Sequence, residues 1–155
     1  VGWAVAACLA ISLLVQHSLL TQAISDVQLA AQLEADANAT RLEFSGKGSY
    51  ASLKGEVLWS DASQQGVMRL AGLQPNDKAK SQYQLWIVDS ERGGKFPVDG
   101  GVFDIPAGGG EVIIVIDSKL EVDGPNVFVI TREQPGGVVV SGQEEVVAVA
   151  DRNAA

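Results

Sequence analysis

No charged side chain occurs before Asp26. In a chain of 155 residues with 19 acids and 11 bases, so long an uncharged start has few structural solutions. Residues 1–15, VGWAVAACLAISLLV, are apolar apart from Ser12. A helix that crosses a bilayer needs roughly 20 mostly apolar residues. Residues 1–25 supply them if Gln16 and His17 lie near the interface. A secretory signal peptide would begin with a basic residue, carry a shorter apolar stretch and end at a small-residue cleavage site; the basic start is missing. Residues 1–20 are therefore assigned to a transmembrane helix. The first charges beyond it are Asp26, Glu34 and Asp36, and the first base is Arg41. Cytoplasmic flanks are enriched in Lys and Arg, so the large C-terminal part is expected outside the cytoplasm. The chain does not begin with Met, and a preceding cytoplasmic part is expected.

The helical pattern continues past the span. Leu20, Ile24, Val27 and Ala31 recur at helical spacing among Ala, Gln, Leu and Glu, which are good helix formers. Residues 21–40 are read as a helical stalk that frays near Asn38. Leu13, Leu20 and Val27 also stand seven apart, as in a dimeric coiled coil, but Glu34 breaks the series before the three or four heptads such a reading requires.

Beyond Thr40 the period changes. Short apolar or alternating runs occupy residues 41–44, 55–59, 66–70, 82–89, 101–105, 111–117, 126–132 and 138–141, with a further run at 145–150. The segments between them are rich in Gly, Pro, Asn and Asp. This spacing predicts an all-β domain over residues 41–155, an antiparallel β-sandwich of about seven to nine strands. The chain's hydrophobic fraction of 46% allows a packed core, and Cys8, the sole cysteine, lies in the span, so no intrachain disulfide supports the domain. EVIIVID at 111–117 and NVFVITR at 126–132 are nearly unbroken apolar runs. Such runs suit central strands covered on both faces, which predicts that the stalk, a loop or a partner covers one sheet face.

The inventory of reactive groups is short. His17, the sole histidine, belongs to the membrane segment, which excludes histidine-based triads in the outer domain. Copper sites of the small-sandwich kind and structural zinc need His and Cys sets that are not present. ERGGKF lacks the spacing of a phosphate loop. The net charge of −8 and the scattered bases argue against nucleic-acid binding. Asp89, Glu91, Asp99 and Asp104, followed by Asp117, Glu121 and Asp123, are oxygen ligands of the type calcium takes, but their spacing matches no calcium loop. They read better as turn formers beside Gly and Asn. No catalytic residue, metal ligand or cofactor is assigned. In the strand at 82–89, Tyr83, Leu85 and Ile87 should face inward, with Trp86 and Val88 on the opposite face. Trp86 and Trp59 are expected to pack rather than to bind a ligand such as a sugar.

Four elements in order carry a family resemblance. Gly72, Leu73 and Pro75 form a Gly-Leu-x-Pro turn; Tyr83, Gln84, Leu85 and Trp86 form a Tyr-Gln-Leu-Trp strand. Pro97 and Val98 lead into Gly101 and Phe103, and Thr131 is followed by Pro135, Gly136 and Gly137. In this order they resemble the C-terminal extracytoplasmic domain of anti-sigma-K factors, over roughly residues 55–150. The chain departs from that pattern at Arg132 and Gln134, and it carries Val-Val-Ser-Gly where Pro-Thr-Gly is usual.

The resemblance implies a membrane-anchored anti-sigma factor, single-pass in the bacterial cytoplasmic membrane, with this domain outside. Its implied partners are an extracytoplasmic-function sigma factor, held by a cytoplasmic domain not in this chain, and the envelope and intramembrane proteases that release it. The implied role is regulatory and non-enzymatic, with these motif positions serving a structural purpose. Read from the residues alone, two other classes stay open: an envelope ligand-binding module using Trp59, Trp86 and the acidic loops, and a scaffold whose apolar sheet face pairs with another protein.

Overall fold

A computed structural model describes residues 2–89 and 97–154. The chain begins with one helix, α1 (Gly2–Ala35), of 34 residues. At about 1.5 Å per residue it is roughly 50 Å long, well beyond the ~30 Å of a bilayer's hydrocarbon core. Its Ala6–Ala35 portion is apolar enough to cross a membrane, with a mean hydropathy of 1.5 over its best window.

Nine strands follow among the described residues: β1 (Thr40–Glu43), β2 (Ser45–Gly46), β3 (Lys54–Ser60), β4 (Gln65–Ala71), β5 (Gln82–Asp89), β6 (Val98–Phe103), β7 (Val112–Val115), β8 (Pro125–Glu133) and β9 (Val146–Asp151). They form two antiparallel sheets, one ordered β1-β3-β4-β7 and the other β2-β9-β8-β5-β6. The chain is thus an all-β sandwich preceded by a helix.

Alternation along the strands builds the core between the sheets. From the four-stranded sheet come Val57, Trp59, Met68 and Leu70; from the other come Tyr83, Leu85, Ile87, Phe128, Ile130, Ala148 and Ala150. Tyr83 stacks on Phe103 with ring centroids 5.7 Å apart, and Trp59 donates its indole N–H to Asp61 at 2.8 Å. Pairing between β5 and β6 shifts register after Leu85, which faces Gly101 while Trp86 faces Asp99. Two glycines make that bulge possible. Gly101 has a φ of 106°, and a Cβ on Gly100 would stand 2.7 Å from Leu85.

The structure corrects several sequence expectations. The apolar run at 111–117 is not a central strand: β7 is an edge strand, and its apolar character comes from being covered on both faces. Val112 and Ile114 pack on the main core, whereas Ile113 packs beneath α1. Residues 138–141 form no strand, and Val139 and Val140 are 94% and 81% exposed. A Pro-Gly-Gly turn and hydrogen bonds to side chains, described below, hold this segment as a loop. The helix ends at Ala35, and residues 36–39 turn: the Ala39 N–H donates to the Asp36 carbonyl at 3.1 Å, and the Asn38 N–H donates to the Asp36 carboxylate at 2.9 Å. ERGGKF and Glu91 lie outside the described residues.

Phe128 is fully buried in the inter-sheet core. Phe128→Ala should therefore cost about 3–5 kcal/mol, whereas Val139→Ala should stay within about 0.5 kcal/mol. Urea denaturation in mild detergent, followed by tryptophan fluorescence, measures both.

Candidate functional site

The outer face of the four-stranded sheet is where the helix meets the sandwich. Register places Arg41, Leu58, Val67 and Ile113 on that face, with Glu56 and Arg69 beside them. A row of apolar residues in the middle of a sheet face leaves a patch that water disfavours. The last turns of α1 cover it: Ala30 and Leu33 are buried against Leu58 and Val67, with Leu29 and Ile113 at the margin. A cleft of about 310 Å³ remains between the helix end and the β3–β4 turn, lined by Leu29, Leu33, Asp36, Ser60 and Ala62 among others.

Charges of alternating sign flank this apolar contact. Arg69 forks onto Glu34, its two terminal nitrogens donating to the two carboxylate oxygens at 2.9 and 3.1 Å. The same guanidinium reaches Glu56 at 3.3 Å. Arg41 stands 3.4 Å from Glu56 and 3.9 Å from Glu34. The hydrogen bond from Arg69 and its charge, with Arg41 adding, hold the Glu34 carboxyl below the ordinary glutamate range. Sequence reading placed a helix here and foresaw a covered sheet face. It did not pair Glu34 with Arg69, because 35 positions separate them and only the fold brings them together.

A second cluster lies on the outer face of the five-stranded sheet. Gln134, Pro135, Gly136 and Gly137 make a tight turn closed by the Gly137 N–H on the Gln134 carbonyl at 2.9 Å. Pro at the second position and Gly136 at φ 86° give it type II geometry. The neighbouring strand fastens it. Gln82 accepts the Gly136 N–H at 2.8 Å, and Gln84 both accepts from the Val138 N–H at 2.9 Å and donates to the Val138 carbonyl at 3.0 Å. Trp86, buried on the same face as Gln84, donates to the Thr131 hydroxyl at 2.9 Å.

The motif positions therefore fall into groups. Gln84, Trp86, Thr131, Gly136 and Gly137 meet outside the five-stranded sheet, with Pro135 exposed in the turn. Leu73, Tyr83, Leu85, Val98 and Phe103 meet in the core. Pro97 leads into β6, and Gly101 sits in the bulge. Gly72, at φ 81°, passes close to the Ser52 carbonyl, and Pro75 is exposed. The Tyr83 hydroxyl ties this last turn down by donating to the Gln74 carbonyl at 3.0 Å.

The acids do not converge. Asp99 accepts from Gln84 and from the Gly101 N–H, Asp104 from Asn76 and Gln82, and Asp89 from the Asp123 N–H. Asp117 pairs with Lys119. Among the described residues no three His, Cys, Asp or Glu side chains gather as a metal ion would require. Asp89, Asp99 and Asp104 work as turn and loop acceptors.

Two outcomes follow from these geometries. A Cβ on Gly137 would lie 2.6 Å from Val102 and 2.7 Å from the Gln84 amide oxygen, whereas one on Gly136 would meet nothing within 4 Å. Gly136→Ala should cost about 1–2 kcal/mol from its left-handed backbone alone, and Gly137→Ala more, up to about 3 kcal/mol, in the same denaturation assay. For Glu34 the folded pKa is depressed, so its contribution to docking is present above the unfolded value of about 4.3 and is lost as pH falls through the lower folded value. Docking should hold from neutral pH to about 5 and weaken below about 4. Chemical shifts of the Leu33 methyl groups would report it, and Glu34→Gln should abolish the acid dependence.

One family model matches residues 2–146, that of the anti-sigma-K factor RskA C-terminal domain. No curated protein and no solved structure matches the chain.

Proposed function

Because that match spans most of the chain, the protein belongs to the anti-sigma-K factor C-terminal domain family, and we propose that it is the outer regulatory part of a membrane-anchored anti-sigma factor. The family is regulatory, its implied partner is a sigma factor, and the reading assigns no enzymatic role to this chain. The helix α1 anchors it in the bacterial cytoplasmic membrane, with the sandwich outside the cytoplasm. The motif residues serve the sandwich by filling its core and fastening its loops.

The observation that carries this reading is the continuity of α1. One uninterrupted helix runs from an apolar span to a seat on the sandwich. With the span taken as residues 1–20, docking begins shortly beyond it, at Leu29. The interval is only about 10 Å of helix. In this reading the sandwich stands close above the membrane and, seated on residues 29–35, restricts a protease's access to the helix that must be cut to release the sigma factor. Proteases act on open, unprotected backbone, so a signal that loosens the sandwich exposes the segment between His17 and Thr40.

Deletion of residues 45–150 tests this. Cleavage between His17 and Thr40 should rise, followed by intramembrane cleavage and higher output from the sigma factor's target genes. Unchanged cleavage and output after the deletion would show that the domain does not shield the stalk.

A further inference from the structure

The docked end of α1 is separable from the surface on which it rests. Its apolar contacts form a cluster of their own, and among the described residues none of α1 belongs to the inter-sheet core. Residues 6–25 are exposed along the whole helix, and burial begins only near Asp26 and becomes complete at Ala30. The turn at 36–39 is closed largely by bonds within itself and back to the helix end, and its hydrogen bond to the sheets is a long one, from the Ser60 hydroxyl to the Asp36 carboxylate at 3.4 Å. After it, β1 keeps its own pairing with β3. The helix can therefore leave the sheet without opening a strand ladder.

The charges obey the same division. Glu34 is the only member of the four-charge group that α1 contributes; Arg41, Glu56 and Arg69 belong to β1, β3 and β4. When Glu34 departs, Arg69 still has Glu56, and Glu56 still has Arg41. The sandwich left behind keeps the Arg69–Glu56 and Arg41–Glu56 pairs and loses apolar cover at Leu58, Val67 and Ile113.

We propose that residues 29–35 are a reversible latch: they undock from the four-stranded sheet as a local opening, pivoting on residues 36–39, while both sheets stay folded. Local openings of this kind occur far more often than global unfolding when few apolar contacts hold the element. Because α1 is continuous, tension or lateral displacement at its membrane end is delivered to Leu33 and Glu34. Exposure of the helix to a protease on opening rests on the regulatory reading above; the latch itself does not.

Two buried alanines provide the test, since Ala30 lies in the latch and Ala148 in the core, both fully buried. In the full chain with Cys8→Ser, reconstituted in lipid nanodiscs, Ala30→Cys and Ala148→Cys are labelled with a maleimide. The latch cysteine should react at least about tenfold faster than the core cysteine. Adding Glu34→Lys or Leu33→Ala should accelerate it several-fold further and leave Ala148→Cys unchanged. Equal rates at the two positions, or no response to either added substitution, would overturn the latch. If the latch opens in these assays but Glu34→Lys is cleaved no faster by the envelope protease, the shielding role fails and the latch stands.

Discussion

The four-stranded sheet is apolar on both of its faces, and the rest of the arrangement answers to that. Val57, Trp59, Met68 and Leu70 close on the other sheet. Leu58 and Val67, one residue out of phase, look the other way and need a second cover. A fully buried Leu or Val contributes about 1.5–3 kcal/mol relative to exposure, which is reason enough for α1 to lie on that face rather than stand free in solvent. Among the described residues the helix brings Leu29, Ala30 and Leu33 to the apolar contact. It is seated firmly enough to have a defined position, and far less firmly than the strands of the core.

Loops are held by a different device. Gln64, Asn76, Gln82 and Gln84 each join remote backbone. Gln64 accepts from the N–H of Val122 and donates to its carbonyl at 2.9 and 2.8 Å, as Gln84 does with Val138. Asn76 accepts the Ile105 N–H and donates to the Ser81 carbonyl, each at 2.8 Å. A carboxamide has both a donor and an acceptor, so it can satisfy the backbone N–H and C=O of one residue without burying a charge. A carboxylate could do only half of that. Asp99 and Asp104 complete the scheme by accepting the remaining amide hydrogens, which explains acids near the motif strand without a cation.

These two devices divide the molecule functionally. The core and the amide-fastened loops make the sandwich a stable body, whereas a small apolar patch and one glutamate join that body to the helix. A regulator that must respond at its anchor is well served by such a division. In the proposed latch, the junction that opens lies on the path between helix and domain, and its opening leaves the ladders intact.

The sequence by itself determined the apolar helix, the all-β domain after Thr40 and the strand at 82–89 to its ends, because composition and local period decide those features. It also showed that the run at 111–117 must be covered on both faces. Only the tertiary structure decided that this run is an edge strand under a helix, since strand order is a property of pairing between distant segments. Local pattern misread residues 138–141 as a strand: three valines favour extended backbone, but no neighbouring edge receives them, and Gln84 holds Val138 in a loop instead. The partnership of Glu34 with Arg69 was equally invisible in sequence, because an ion pair across 35 residues exists only once helix and sheet have met.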